Sequence, residues 1–209
     1  MDHSANPTRI IGLTGGIATG KTTVSNYLAQ HHQLPILDAD LYARAAVQPD
    51  SPILERIVDR YTSTILQADG SLDRRQLAEI IFNHPTERAW LEQQIHPYVR
   101  QALTQERDRL RLKFDAIVLV VPLLFEAQMT DLVTEIWVVS CPKPQQIERL
   151  MHRESLNFDQ AQVRIHSQMS IADKCDRADV ILQNSSTQDK LLEQVDWALG
   201  KRKEGRSPP

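Results

Sequence analysis

Between residues 9 and 30 the chain runs from a short β-branched stretch through a glycine cluster into an amphipathic segment, Arg9-Ile-Ile-Gly-Leu-Thr-Gly-Gly-Ile-Ala-Thr-Gly-Lys-Thr-Thr-Val24 and onward. Gly15 to Thr22 satisfies G-x-x-x-x-G-K-[ST], and the strand before and helix after supply the context in which that spacing has a mechanism. Glycines permit backbone conformations at which successive N–H groups point inward, and the helix start adds partial positive charge. Phosphate oxygens fit such a concavity. Lys21 is placed to reach β- and γ-phosphates, and the Thr22 hydroxyl to complete a Mg²⁺ shell. The plain alternative is a glycine turn that holds no nucleotide.

The rest of the chain must accommodate that strand-loop-helix unit. Further strands are predicted at Leu34 to Leu37, Ile117 to Val121, Ile136 to Val139 and Val180 to Leu182, each too short and too β-branched for a buried helix. Five such runs separated by helical segments imply an α/β fold with a parallel sheet. Val24, Tyr27 and Leu28 form one helical stripe, and Leu191, Leu192, Val195 and Leu199 another. Residues 41 to 113 carry no strand signal and read as successive helices, with a capping box at Asp73-Arg-Arg-Gln76 and a first-turn proline at Ser51-Pro52. A second polar insertion spans 143 to 170. Residues 1 to 8 and 200 to 209 read as flexible ends.

Composition narrows the partners. With 24 Lys+Arg against 27 Asp+Glu the net charge is -3, so no global field favours nucleic acid or an anionic membrane. Cys141 and Cys175 have neither CxxC spacing nor a disulfide framework. The longest apolar stretch, Ala116 to Phe125, is half a membrane span, and the first residues lack a hydrophobic signal core. A cytoplasmic protein is expected.

A phosphate loop does not by itself separate a kinase, a GTPase switch and a motor ATPase. There is no N-K-x-D element for guanine, and Ile117-Val-Leu-Val-Val-Pro122 ends in proline where a motor strand ends in Asp-Glu. Asp38-Ala-Asp40 follows the second strand, and either carboxylate could take the proton from an acceptor hydroxyl; alternatively one caps the next helix. Arg44, four residues beyond Asp40, could hold an anionic acceptor or simply form a surface ion pair. Arg149 and Arg153 share that spacing and suit a lid over ATP phosphates, or a solvated face.

The ordered set GLTGGIATGKTTV, LDADLYAR, ADGSLDRRQLAEIIF, HPYVR, VPLLFE, Gln146-x-x-Arg149-x-x-x-Arg153, Ser167-Gln168 and Ala178-Asp179-Val-Ile-Leu-Gln-Asn184 closely resembles the dephospho-coenzyme A kinase family, over residues 9 to about 196. The resemblance implies a three-layer α/β/α fold of the P-loop kinase type, with a five-stranded parallel sheet. It divides the chain into a nucleotide-binding core (9–40, 114–142, 171–199), a helical acceptor-binding region (41–113) and a lid (143–170). It implies phosphorylation of the ribose 3′-hydroxyl of dephospho-coenzyme A by Mg-ATP. Asp40 becomes the general base, with Lys21, Asp38 and Arg149 as further catalytic groups. Gly15, Gly16, Ala18, Thr19, Gly20, Lys21, Thr22 and Thr23 become ATP phosphate contacts, joined by Arg149 and, near adenine, by Asn184. Arg44, Asp40, His96, Leu123 and Glu126 fall to the acceptor, Thr22 to the metal.

Three points depart from the pattern or stay open within it. His96-Pro97 also reads as a proline bounding a helix beside an ordinary histidine. Val120 and Val121 stand where many members have an aspartate, and Ser185 and Ser186 follow Asn184 where a glycine is common. The alternatives are another P-loop small-molecule or nucleoside monophosphate kinase, and a nucleotide-binding switch without catalysis.

Overall fold

The computed structural model describes residues 8–200. Their contacts divide into two compact units, one of residues 8–37 and 107–200, the other of residues 38–106. The first carries a five-stranded parallel sheet in the order β2-β3-β1-β4-β5, within a three-layer α/β/α arrangement. β1 (Arg9–Gly15) pairs with β3 (Ala116–Val120) and β4 (Glu135–Ser140), and β4 with β5 (Val180–Gln183). β2 (Ile36–Asp38) is the outer strand beyond β3. It starts two residues later than the sequence predicts. Leu34 donates its N–H to Leu28 O and so still belongs to the turn closing the preceding helix.

The sheet interior is apolar because β1, β3 and β4 have neighbours on both edges and both faces. On one face α1 (Lys21–Gln30) and α9 (Gln188–Gly200) bury Val24, Leu28, Leu191, Val195 and Ala198 against Ile11, Leu13, Val118, Val120, Trp137 and Val139. The stripe of α1 lies there as predicted; that of α9 does so at Leu191, Val195 and Leu199, with Ala198 in the cluster and Leu192 outside it. Arg9 closes this layer by pairing with Glu135 at 2.7 Å and donating to the carbonyls of Ala198 and Leu199 in the last turn of α9. Thr8 donates from its hydroxyl to Arg111 O, and Gly200 ends α9, so neither is the loose end that the sequence suggests. The remaining residues of the expected ends, 1–7 and 201–209, lie outside the described residues.

After β4, α6 (Lys143–Glu154), α7 (Phe158–His166) and α8 (Ile171–Cys175) precede β5. α7 starts with a full capping box: Asn157 Oδ1 accepts from Gln160 N–H, and Gln160 Oε1 from Asn157 N–H.

The second unit is helical: α2 (Ala39–Ala45), α3 (Pro52–Tyr61), α4 (Arg74–Asn83) and most of α5 (Pro85–Leu110). Ser51 caps α3 with Pro52 in its first turn. Asp73 caps α4 by accepting from Arg75 and Gln76 N–H, the forward half of the predicted box. The core of this unit is Val47, Ile53, Leu54, Ile57, Ile65, Leu72, Leu77 and Leu91. At its rim Arg60 holds Glu87 through two hydrogen bonds, Tyr61 donates to the same carboxylate, and Arg60 lies over Trp90 at 4.6 Å. These contacts hold the Glu87 carboxyl down at about 2.

Candidate active site

β1 ends at Gly15 and α1 begins at Lys21, so Gly16 to Gly20 form a loop at the carboxyl edge of the sheet. Gly20 caps α1 in the left-handed region at φ 108°, and a Cβ there would lie 2.3 Å from Asn184 Nδ2. A Cβ on Gly16 would lie 2.6 Å from Gln146 Nε2. Gly20 is thus fixed by its left-handed φ, and Gly15, at φ 150°, because a Cβ there would lie 2.3 Å from the backbone carbonyl of Val139; at Gly16 a Cβ meets only the end of a flexible side chain from outside the loop. Ala18 takes φ 58° without being glycine, and such conformations concentrate at functional sites.

Those outside side chains account for the loop's shape. A loop that turns its N–H groups inward must find partners for its carbonyls elsewhere. Gln146, buried on α6, donates to Ile17 O at 2.8 Å; Asn184, just past β5, donates to Thr19 O at 2.8 Å. Ile17 N–H donates to Gln168 Oε1 at 3.0 Å, and buried Thr19 donates to Gly16 O at 2.9 Å. Ile17 and Ala18 also pack against Ile147, Leu150 and Ala161 of α6 and α7. The sequence motifs mark Gln146 and Gln168 only as parts of a resemblance. Their bonds reach back 129 and 151 residues, and no local pattern signals that.

Lys21 Nζ donates to Gly15 O at 3.1 Å and Gly16 O at 2.7 Å, so its ammonium spans the mouth of the loop. Thr22 and Thr23 occupy the first turn of α1, Thr22 exposed. Arg149 donates to Gln145 Oε1 at 3.3 Å and to Asn184 O at 3.4 Å. Burial pushes the Cys141 thiol up, an effect that the charges of Arg149 and Lys21 only partly offset. Arg153 is turned elsewhere: it pairs with Glu154, which also takes Arg164. Cys141 is buried, Cys175 half-buried, and both are free thiols.

Glu126, in the turn after β3, accepts from Met169 N–H at 2.9 Å and pairs at 2.9 Å with Lys174, which is fully buried on α8. Desolvation raises the Glu126 carboxyl, but the hydrogen bonds from Lys174 and Met169 with the ammonium charge outweigh it, and the net shift is downward. Lys174 also donates to Pro122 O, a carbonyl shared with the Thr14 hydroxyl. Leu123 is half-buried in the same turn.

In the helical unit Asp38 caps α2, its Oδ1 accepting from Asp40 N–H at 2.9 Å, which is the capping alternative for one aspartate of the pair. Asp40 and Arg44, one turn apart on α2, line a cavity of 270 Å³ with Arg74 and apolar Val47, Leu77 and Ile95. Arg74 donates to Arg44 O at 3.1 Å. It is a third charged group on this wall that the sequence does not single out. His96 is half-buried on α5, beside Ile95 of the cavity. Pro97 lies inside α5, not at its boundary, because the apolar face continues through Val99 to Leu103 and the proline itself is exposed.

The family model for dephospho-CoA kinase matches residues 9–190. A dephospho-CoA kinase of Trichormus variabilis is 57% identical over 195 residues, 91% of this chain and 96% of the relative. Among solved structures, a Thermus thermophilus protein superposes with TM-score 0.78 at 31% identity, covering 94% of this chain and 98% of its own. The dephospho-CoA kinase of Campylobacter jejuni gives 0.71 at 25% identity, with 94% and 98% covered. A phosphate loop on a five-stranded parallel sheet, followed by a helical insertion, therefore has a family attached to it across nearly its whole length: this chain belongs to the dephospho-CoA kinases.

Proposed function

We propose that the chain transfers the γ-phosphoryl group of ATP to the ribose 3′-hydroxyl of dephospho-coenzyme A, giving coenzyme A and ADP in one in-line step. The observation that carries this reading is the braced loop with Lys21 across its mouth, in a chain of this family. The acceptor oxygen attacks the γ-phosphorus as the bond to the β-bridging oxygen breaks, and the acceptor proton passes to Asp40. Lys21 and Arg149 bear charge spreading onto the transferring group and leaving oxygen. Arg44, with Arg74 beside it, suits an anionic part of the acceptor in the cavity that Asp40 also lines. Asp38 acts by fixing the start of α2, which positions Asp40.

Thr22 offers an exposed hydroxyl at the first helical turn, an oxygen donor that fits Mg²⁺. The ion, when bound with ATP, neutralises β- and γ-phosphate charge. Residues 143–170 serve as the lid. Glu126 and Leu123 act beside the site through the turn that Lys174 holds, and His96 through its place next to the cavity wall. No helix among the described residues is long and apolar enough to cross a membrane. Together with two free thiols this supports a cytoplasmic enzyme.

The test is incubation with Mg-ATP and dephospho-coenzyme A, read by mass spectrometry for ADP and a product about 80 mass units heavier. Turnover of a nucleoside monophosphate or a shikimate-like alcohol instead would reassign the acceptor. Asp40→Asn should lower kcat by roughly 10²- to 10⁴-fold while ATP affinity stays near that of the parent. A variant with undiminished kcat would remove Asp40 from the role of base.

A further inference from the structure

Away from the phosphate loop, the far end of α1 meets α9 in a cluster of imidazole and carboxylate groups. His31 caps the C-terminus of α1, its N–H bonded to Tyr27 O, and His32 follows it. One ring nitrogen of each histidine and a carboxylate oxygen of Asp196 on α9 all lie within 4.8 Å of one another. His32 Nε2 is 2.7 Å from Asp196 Oδ1, and the Tyr27 hydroxyl donates to the same carboxylate, 3.0 Å from each oxygen. His31 stacks on Tyr27 at 4.9 Å and meets His32 edge-on at 5.0 Å.

We propose that His31, His32 and Asp196 form a site for one late first-row divalent cation, with Zn²⁺ as the representative ion. Two imidazoles and one carboxylate with a water make up a four-coordinate set of the kind Zn²⁺ takes. Convergence onto a tetrahedron with bonds of about 2.0 Å brings the donors to about 3.3 Å apart. Rotation of side chains supplies this, since His31 and Asp196 are exposed and His32 is half-buried. Tyr27 stays outside the coordination set and orients the carboxylate through its hydrogen bond. Imidazole donors favour Zn²⁺ over Mg²⁺, which prefers an octahedron of oxygens, so the site is distinct in chemistry from any ion that travels with nucleotide. The bound ion would join the end of the phosphate-loop helix directly to α9.

Untagged full-length protein, stripped with a chelator and dialysed, is titrated calorimetrically with Zn²⁺ at neutral pH in a non-chelating buffer. The expected result is one ion per chain, at least tenfold weaker binding in His31→Ala and in Asp196→Asn, and no displacement by excess Mg²⁺. Zn²⁺ should also raise the thermal midpoint of the parent and leave that of His31→Ala unmoved. His31→Ala is the decisive variant, because it removes a donor while leaving the His32–Asp196–Tyr27 contacts in place. Absence of Zn²⁺ binding by the parent, or equal affinity in parent and His31→Ala, overturns the site.

Discussion

Gly20 shows how a single position ties backbone conformation to the shape of the loop. Gly20→Ala forces a left-handed φ on a residue with a Cβ and drives that atom against Asn184. Either the backbone strains, at about 1–3 kcal/mol, or Asn184 releases Thr19 O and leaves a carbonyl unpaired, at about 1–3 kcal/mol. A lower thermal midpoint and loss of measurable ATP binding by calorimetry are expected. Lys174 sets a second constraint. Lys174→Met takes the ammonium from Glu126, whose carboxylate still reaches solvent, and should destabilise by about 1–3 kcal/mol; the double variant Lys174→Met/Glu126→Leu should recover part of it in denaturant melts. Because the Glu126 carboxyl is held below its ordinary value, its contribution is complete above the carboxylate range and disappears as pH falls through the lowered value. The stability gap between the parent and Glu126→Gln should therefore close on acidification. At this scale the sequence offers candidates for the chemistry, Lys21 and the Asp38/Asp40 pair, but not the side chains that brace the loop. Gln168 and Lys174 act through partners 151 and 48 residues away, and no periodicity records such pairings.

Elements were more legible than their ends. α1 and α9 show their apolar stripes because each buries one face on a sheet and exposes the other. β2 starts two residues later than its apolar run, because Leu34 and Pro35 are as apolar as a strand while the N–H of Leu34 is committed to α1. Pro97 misleads for the opposite reason: proline is a stop signal, but on the exposed side of a 26-residue helix its cost is offset by packing before and after it. The capping box of α7 carries a sharper expectation. Asn157→Ala removes one hydrogen bond of the reciprocal pair and should cost about 1 kcal/mol, seen in denaturant unfolding. Since α7 supplies Ala161 to the cluster that holds Ile17 and Ala18, the same variant should weaken ATP binding without touching a phosphate contact.

Across the whole molecule, strand order explains where the site lies. In the order β2-β3-β1-β4-β5 the connection from β1 runs to β2 on one side and that from its neighbour β3 runs to β4 on the other, which opens a crevice at the carboxyl ends of β1 and β3. The chain places its phosphate loop there. Five parallel strands could be read from the sequence, but not their order, which depends on pairings between distant segments. Arg9 has one more consequence. By tying β1 to the carbonyls of Ala198 and Leu199, it makes the described chain nearly a closed ring in space, its first strand fastened to its last helical turn. The point at which such a ring is opened is then a matter of synthesis more than of architecture. A permutant joining residue 200 to residue 8 by a short flexible linker, and opened at the exposed Asp69-Gly70 turn where a glycine Cβ would meet nothing, should fold with the parent's spectrum and melt cooperatively.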